Sequence, residues 1–462
     1  MLALTPWAEC SRNRKYVPPL TDHTLAERLA QAKALAAEGR PDEAVIVLAD
    51  GARHHAGNPE LAAALGQLLS ELGRHEAALQ VFAAGLRARP GHLELRGLLA
   101  AELAADLRTD EALAHLRTLL VLHPGQALIH ANIGVLLQTA GRPREALRHY
   151  RRAVALDPGN PVARVNLGTA LMTLGDYREG FAEYEHRLAL PGVRQPPAAL
   201  PRWQGERPVR SVLVTTEQGF GDMLQFVRFL PLLTGRAENV WLECPAEMKR
   251  LFQGLAGLAG VVAPGDAVPP VKAAVPLLSL PHLLGGAEPD LRADSIPYIS
   301  VPGEGPALPP DRRPRIGLAW SGRQAGSGDL FIRRTLQRRH CRIEDLEPLW
   351  SLEDFRWFGL QLGQAMPGPV TDLSPLMRDF ADSAVLVSQL DLMISIDSAP
   401  AHLAGALGVP LWVMLGPGQA DYRWGGADGA SPWYPKARLF RAGAGGWPAL
   451  AADMAAALRV TA

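Results

Sequence analysis

The chain has 462 residues, 48% of them hydrophobic, and its 47 Lys and Arg balance its 47 Asp and Glu. That length exceeds one ordinary core and predicts two or three domains, while zero formal net charge excludes a nucleic-acid protein held by overall charge. Three cysteines, Cys10, Cys244 and Cys341, fit neither a disulfide framework nor a zinc site. With no apolar segment of signal-peptide type and no apolar run of about 18 residues, the expectation is a cytoplasmic chain without a membrane span.

After an N-terminal extension over residues 1–23, the first regular feature is a spacing. Gly39, Gly73, Leu107, Gly141 and Gly175 recur every 34 residues. A small residue stands seven positions before each of the last four (Gly66, Ala100, Gly134, Gly168), and a larger one nine positions after (Phe82, Leu116, Tyr150, Tyr184). Pro90, Pro124 and Pro158 close successive units. A small residue lets two helices approach, a turn glycine ends the first helix in a left-handed conformation, and a proline stops the second. The pattern predicts about five helix-turn-helix units over residues 24–192, stacked as a solenoid. The third unit is the weakest, because Leu107 stands where the others have glycine. Phe82, Tyr150 and Tyr184 are expected in the core. The pattern resembles the tetratricopeptide repeat, and that resemblance implies a concave face that binds a protein or peptide client.

Five prolines between Pro191 and Pro208 mark residues 193–209 as a linker, with Trp203 pinning it to one domain. Residues 211–216 (SVLVTT) then read as a strand, followed by the loop Glu217-Gln218-Gly219-Phe220-Gly221-Asp222 and a helix over 223–233. Gly219 and Gly221 let the backbone approach a ligand at a helix start. Strands are predicted at 240–244 and 260–263 around a helix at 246–255, completing an amino lobe over 210–302. A Pro-rich bridge follows at 303–314. The carboxyl lobe, 315–462, opens with a strand at 315–320 that ends in Ser321-Gly322. It continues with a helix at 343–349, a strand at 356–360, a helix at 379–390, a strand at 392–396, a helix at 403–407 and a strand at 410–415. Two successive α/β lobes predict Rossmann-like sheets whose ligands bind at strand carboxyl ends, where Asp222, Ser321 and Asp397 fall.

One segment is more specific. Residues 397–410, DSAPAHLAGALGVP, resemble the D-[ST]-x-x-x-H-L-A-x-A-L-G-x-P segment of glycosyltransferase family 9, the heptosyltransferase-like enzymes, and Gly221-Asp222 is similar to that family's amino-lobe Gly-Asp element. The resemblance covers residues 210 to the C-terminus. It implies a GT-B fold, a nucleotide-sugar co-substrate, and inverting transfer with no metal or other cofactor. It implies Asp222 as general base, against which stands a plain helix cap. Diphosphate binding is implied for Gly219, Gly221, Ser321, Gly322, Ser398, the amides of residues 399–401 and His402, with a satisfied core histidine as the alternative for the last. Asp397 belongs to the same site and is expected to orient its loop, since like charges repel. Arg333 and Arg334 lie in a basic run from Arg323 to Arg342 beside the cleft loop and are candidate phosphate contacts. The family's carboxyl-lobe lysine has no counterpart here. Similar fusions imply transfer to Ser or Thr of a protein client such as flagellin. The alternatives are a lipopolysaccharide-type glycan acceptor, or a repeat scaffold whose second domain has lost catalysis.

Overall fold

The computed structural model describes residues 24–267, 270–285, 296–322, 339–417, 421–425, 430–443 and 445–461. The chain forms two compact units, the first ending at Pro158 and the second beginning at Gly159.

Among its described residues the first unit is eight helices in antiparallel pairs: α1 (Leu25–Ala37) with α2 (Pro41–His54), α3 (Pro59–Glu71) with α4 (His75–Ala88), α5 (Leu93–Ala105) with α6 (Thr109–Leu122), and α7 (Ala127–Thr139) with α8 (Pro143–Leu156). The first helix of each pair has 13 residues and the second has 14, so the 34-residue period is carried by equal elements. Each turn residue is left-handed, with φ of 75° at Gly39, 76° at Gly73 and 72° at Gly141. Leu107 holds the same conformation at φ 59° despite its Cβ. The small positions have a packing cause. A Cβ on Gly66 would lie 2.2 Å from the Phe82 ring, and one on Gly134 would lie 2.5 Å from Tyr150. Where Leu116 replaces the ring, Ala100 fits.

The second unit starts with one more helix pair, α9 (Pro161–Thr173) and α10 (Tyr177–Tyr184), capped by Asn160 and Asp176. A 3-10 turn over Glu185–Ala189 follows. The Pro-rich segment then lies against the first sheet. The Trp203 amide donates to Ala274 O at 2.8 Å, and its indole is 6% exposed and donates to Arg207 O at 2.9 Å.

Two parallel sheets make up the rest. The first comprises β1 (Val209–Thr215), β2 (Ala237–Glu243), β3 (Gly260–Val262) and β4 (Ala273–Pro276), in the order β3-β2-β1-β4. Helices α11 (Phe220–Phe226), α12 (Ala246–Phe252) and α13 (Leu280–Leu284) accompany it. The second comprises β5 (Arg315–Ala319), β6 (Arg356–Gly359), β7 (Val370–Asp372), β8 (Leu392–Ile396), β9 (Leu411–Leu415) and β10 (Ala437–Arg441), in the order β10-β9-β8-β5-β6-β7. It carries α14 (Glu347–Trp350), α15 (Phe380–Ser388), α16 (Ala399–Leu407) and α17 (Gly446–Thr461). Counted from β5, that order is the doubly wound 3-2-1-4-5-6, and the first sheet is the same arrangement without its last two strands. In each, strand order reverses beside the first strand, so the crevice that such sheets use for ligands opens at the carboxyl ends of β1 and β4, and of β5 and β8.

The helix expected over 223–233 is shorter: α11 ends at Phe226 and a 3-10 helix runs from Val227 to Leu233. Pro231 explains this, since it lacks the N–H that an α-helix needs there. Trp433 is fully buried and stands at the centre of a ring cluster. Tyr177, Phe226 and Phe181 lie 5.8, 5.9 and 6.2 Å from it, centroid to centroid. The 431–435 segment is therefore packing, and the last repeat helix belongs to the same core. Among the described residues no helix is long and apolar enough to cross a membrane.

Candidate functional site

Three loops at strand carboxyl ends meet. The first follows β1 and leads into α11. Asp222, three residues after the N-cap Gly219, accepts from the Gly219 amide at 3.2 Å through Oδ2. Its other oxygen accepts from Arg423 Nη2. Asp222 is thus a helix cap, and its second oxygen is held by a guanidinium from the second lobe.

The second loop follows β8. Ser398 is the N-cap of α16, but its hydroxyl turns back, 3.1 Å from Ser395 Oγ and donating to Ile396 O at 3.3 Å. Of the three residues whose amides were expected to face a phosphate, Pro400 has no N–H, and the Ala401 amide is bonded to Ser398 O at 3.0 Å. Only the Ala399 amide remains for that role. Asp397 accepts from Trp424 Nε1 at 2.8 Å and lies 3.3 Å from Arg339 Nη1. Burial favours the protonated acid, but His402, Arg339 and Trp424 together hold its carboxyl well below the usual carboxylate range.

His402 is 4% exposed. Its Nδ1 lies 2.9 Å from the Tyr434 hydroxyl, its Nε2 lies 3.7 Å from Asp397 Oδ1, and its ring lies against Trp424, tilted by 34° with centroids 5.2 Å apart. With both ring nitrogens facing protein groups, it is placed as a core histidine and not as a phosphate donor. Gly221 rests directly on it: a Cβ there would lie 2.7 Å from His402 Cδ2. This contact joins the two sequence motifs, one from each sheet.

The third loop follows β5. The Ser321 amide donates to Gln361 Oε1 at 2.9 Å, and the Gly322 amide donates to His340 Nδ1 at 3.1 Å. Ser321 Oγ is 2.9 Å from the same nitrogen. Since Nδ1 accepts from an amide, the imidazole carries its proton on Nε2, and burial, then the nearby Arg339, push its pKa below the ordinary value. A Cβ on Gly322 would come within 4.0 Å of Ser398 Cβ, so the second and third loops adjoin.

Arg333 and Arg334 lie outside the described residues. Within the same basic run, Arg342 pairs with Asp345 in its own turn at 3.0 Å, as a solvated face does, while Arg339 reaches Asp397. Sequence reasoning missed His340, Trp424 and Arg423. Arg423 is 8% exposed and also bonds Gln225 Oε1 and Asp421. Burial disfavours its charge, but the neighbouring Tyr422, Asp421 and Asp222 hold the pKa above the ordinary value. No spacing signal points to it, because Gln225 and Asp222 are about 200 residues away.

A family model of the tetratricopeptide repeat matches residues 35–102 and 137–182. The N-terminal part is a tetratricopeptide-repeat array. Leu107 falls in the interval between the two matched stretches. Similar solved structures include a MamA RS-1 double mutant (22% identity, 36% of this chain and 92% of that one, TM-score 0.32) and MamA residues 41 to the end from Desulfovibrio magneticus RS-1 (23% identity, 36% and 93%, TM-score 0.32). A third, titled as the crystal structure of MamA protein, has 16% identity over 37% of this chain and 97% of that one, with TM-score 0.32. No curated protein matches this chain.

Proposed function

We propose that the second unit is a GT-B glycosyltransferase, inverting and metal-independent, that moves a sugar from a nucleotide-sugar to a Ser or Thr hydroxyl of a protein client held by the repeats. The observation that carries this is the seating of Gly221 on His402, which brings the Gly-Asp loop of one doubly wound sheet against the Asp-Ser-to-His helix of the other. The resemblance to glycosyltransferase family 9 lies in those same two segments. The compartment is the cytoplasm, and a flagellin-like client suits a repeat groove.

In this account the client hydroxyl oxygen bonds to the anomeric carbon as the bond from that carbon to the diphosphate breaks. The leaving nucleoside diphosphate takes the electron pair, and Asp222 takes the hydroxyl proton. The Ala399 amide holds the diphosphate together with the Ser321 and Ser398 hydroxyls, which turn from His340 and Ile396 to do so; Gly322 leaves it room, and Arg333 and Arg334 supply charge. Asp397 and His402 shape the loops that present these groups.

One observation favours a second reading, a repeat adaptor with a silent transferase domain. Asp222 is held on both oxygens, by the Gly219 amide and by Arg423 Nη2, which is the arrangement of a structural cap. Calorimetry of the full chain against UDP-, GDP-, ADP- and CDP-sugars separates the two. The transferase binds one of them, and Ser321→Ala with Ser398→Ala weakens that binding by about tenfold, as loss of two hydrogen bonds would. No binding to any donor supports the adaptor.

A further inference from the structure

The loop that carries Asp222 has glycine at 219 and 221 and little stiffness of its own. It is gripped by the last repeat. Arg187, 1% exposed, donates through Nη2 to Glu217 Oε1 at 2.7 Å and to Ser279 Oγ at 3.0 Å. Its Nη1 donates to Tyr184 O at 3.3 Å. The Tyr184 hydroxyl accepts from Gln218 Nε2 at 2.9 Å. Glu217 and Gln218 are the two residues immediately before Gly219, and Ser279 follows β4, the neighbour of β1 at the first sheet's reversal point. One guanidinium thus ties the loops after β1 and β4 to the end of α10.

We propose that Arg187 and Tyr184 are positioning residues for the Gly219–Asp222 loop, which makes the last repeat part of the transferase site and not a detachable client arm; this rests on the transferase reading above. The fork of an arginine spans several acceptors in a fixed plane, which a lysine cannot do. A displacement of about 1 Å at a reacting group costs on the order of 100-fold in rate.

The test uses the full chain carrying Arg187→Lys or Tyr184→Phe, with thermal melting to verify the fold. Amide exchange is read at Gly219 and Met223, whose N–H groups bond Asp222 Oδ2 at 3.2 Å and Gly219 O at 3.1 Å. The expected result is exchange faster by about tenfold at both amides and unchanged in β8. Transfer should lose about tenfold in kcat with KM for the donor within about twofold, a split that general destabilisation does not produce. Unchanged exchange in both variants, or loosened exchange with unchanged kcat, overturns the proposal. If the wild-type chain transfers no sugar, the transferase reading falls, and the exchange result alone decides whether these residues fix the loop. Should Arg187→Lys fail to fold, Tyr184→Phe, which keeps the ring, carries the test.

Discussion

Replacing Gly221 by alanine probes the junction of the two motifs. Gly221 lies in α11 with no left-handed φ, so backbone strain does not enter. In an open helix the change gains about 0.5–1 kcal/mol. Here the new Cβ would sit 2.7 Å from His402 Cδ2 and 3.4 Å from Nε2, where carbon atoms prefer about 3.5–4.0 Å. The imidazole has no room to retreat, because Tyr434 holds Nδ1 at 2.9 Å and the Trp424 ring lies against it, centroids 5.2 Å apart. Trp424 is itself tied to Asp397 at 2.8 Å. Overpacking of this kind costs about 1–3 kcal/mol, so the net expectation is a loss of about 1–2 kcal/mol. In thermal unfolding that is a fall of about 2–8 °C. Gly97→Ala is the control, because Gly97 lies inside α5 with nothing within 4 Å of a Cβ; it should raise the stability of the first unit. If Gly221→Ala melts as high as the wild type or higher, His402 does not lie beneath that loop and the joining of the motifs is wrong.

Leu107→Gly should stabilise the first unit by about 0.5–1 kcal/mol, since Leu107 is held at φ 59° and is 47% exposed, losing little burial; the urea midpoint should rise, and a fall would mean the leucine side chain matters more than its backbone. His115, His130 and His149 all have pKa values below the ordinary one, chiefly through burial, with Arg96, Arg152 and His130 respectively adding to it. Protons then bind the unfolded chain first, so the stability these residues give is full above about pH 6.5 and is lost as pH falls through their folded values. The melting temperature of the first unit should drop between pH 7.5 and 5.5, and less so with His130→Gln; a flat profile would contradict a neutral, half-buried pair, whose Nδ1 atoms are 3.1 Å apart. Arg423→Met removes the partner of Asp222. If the transferase reading holds, kcat should fall by about tenfold with KM for the donor little changed, because the carboxylate loses the guanidinium that fixes its position; an unchanged kcat would show that this ion pair does not position Asp222.

The repeats were legible because their period is printed in residue type. Even the exception was informative, since Leu107 adopts the glycine conformation and Ala100 appears where Leu116 replaces a ring. The strands at 392–396 and 410–415 were legible as continuous apolar runs, which buried parallel strands require. β4, β7 and β10 were not: Ala273–Pro276 and Val370–Asp372 are too short to show a pattern, and Ala437–Arg441 alternates charge with apolar residues at a sheet edge. The division of the chain at Pro158 was hidden as well. The fourth and fifth units follow the same pattern, and it is distant contacts, such as those of the Tyr177 and Phe181 rings with Trp433 more than 250 residues away, that join the last pair to the second unit. Within the site the loops were legible but their engagement was not. The occupied nitrogens of His402 and the grip of Arg423 on Asp222 depend on partners that local sequence cannot name.

Sugar transfer to a protein client, as proposed, is decided by co-expression of the full chain with candidate clients, flagellin-type proteins among them, followed by intact-mass analysis. The expected client is heavier by one or more discrete sugar-sized increments with the wild-type chain and unshifted when the chain carries Asp222→Ala. Unmodified clients together with no nucleotide-sugar binding, or an increment that persists in folded Asp222→Ala, would contradict it.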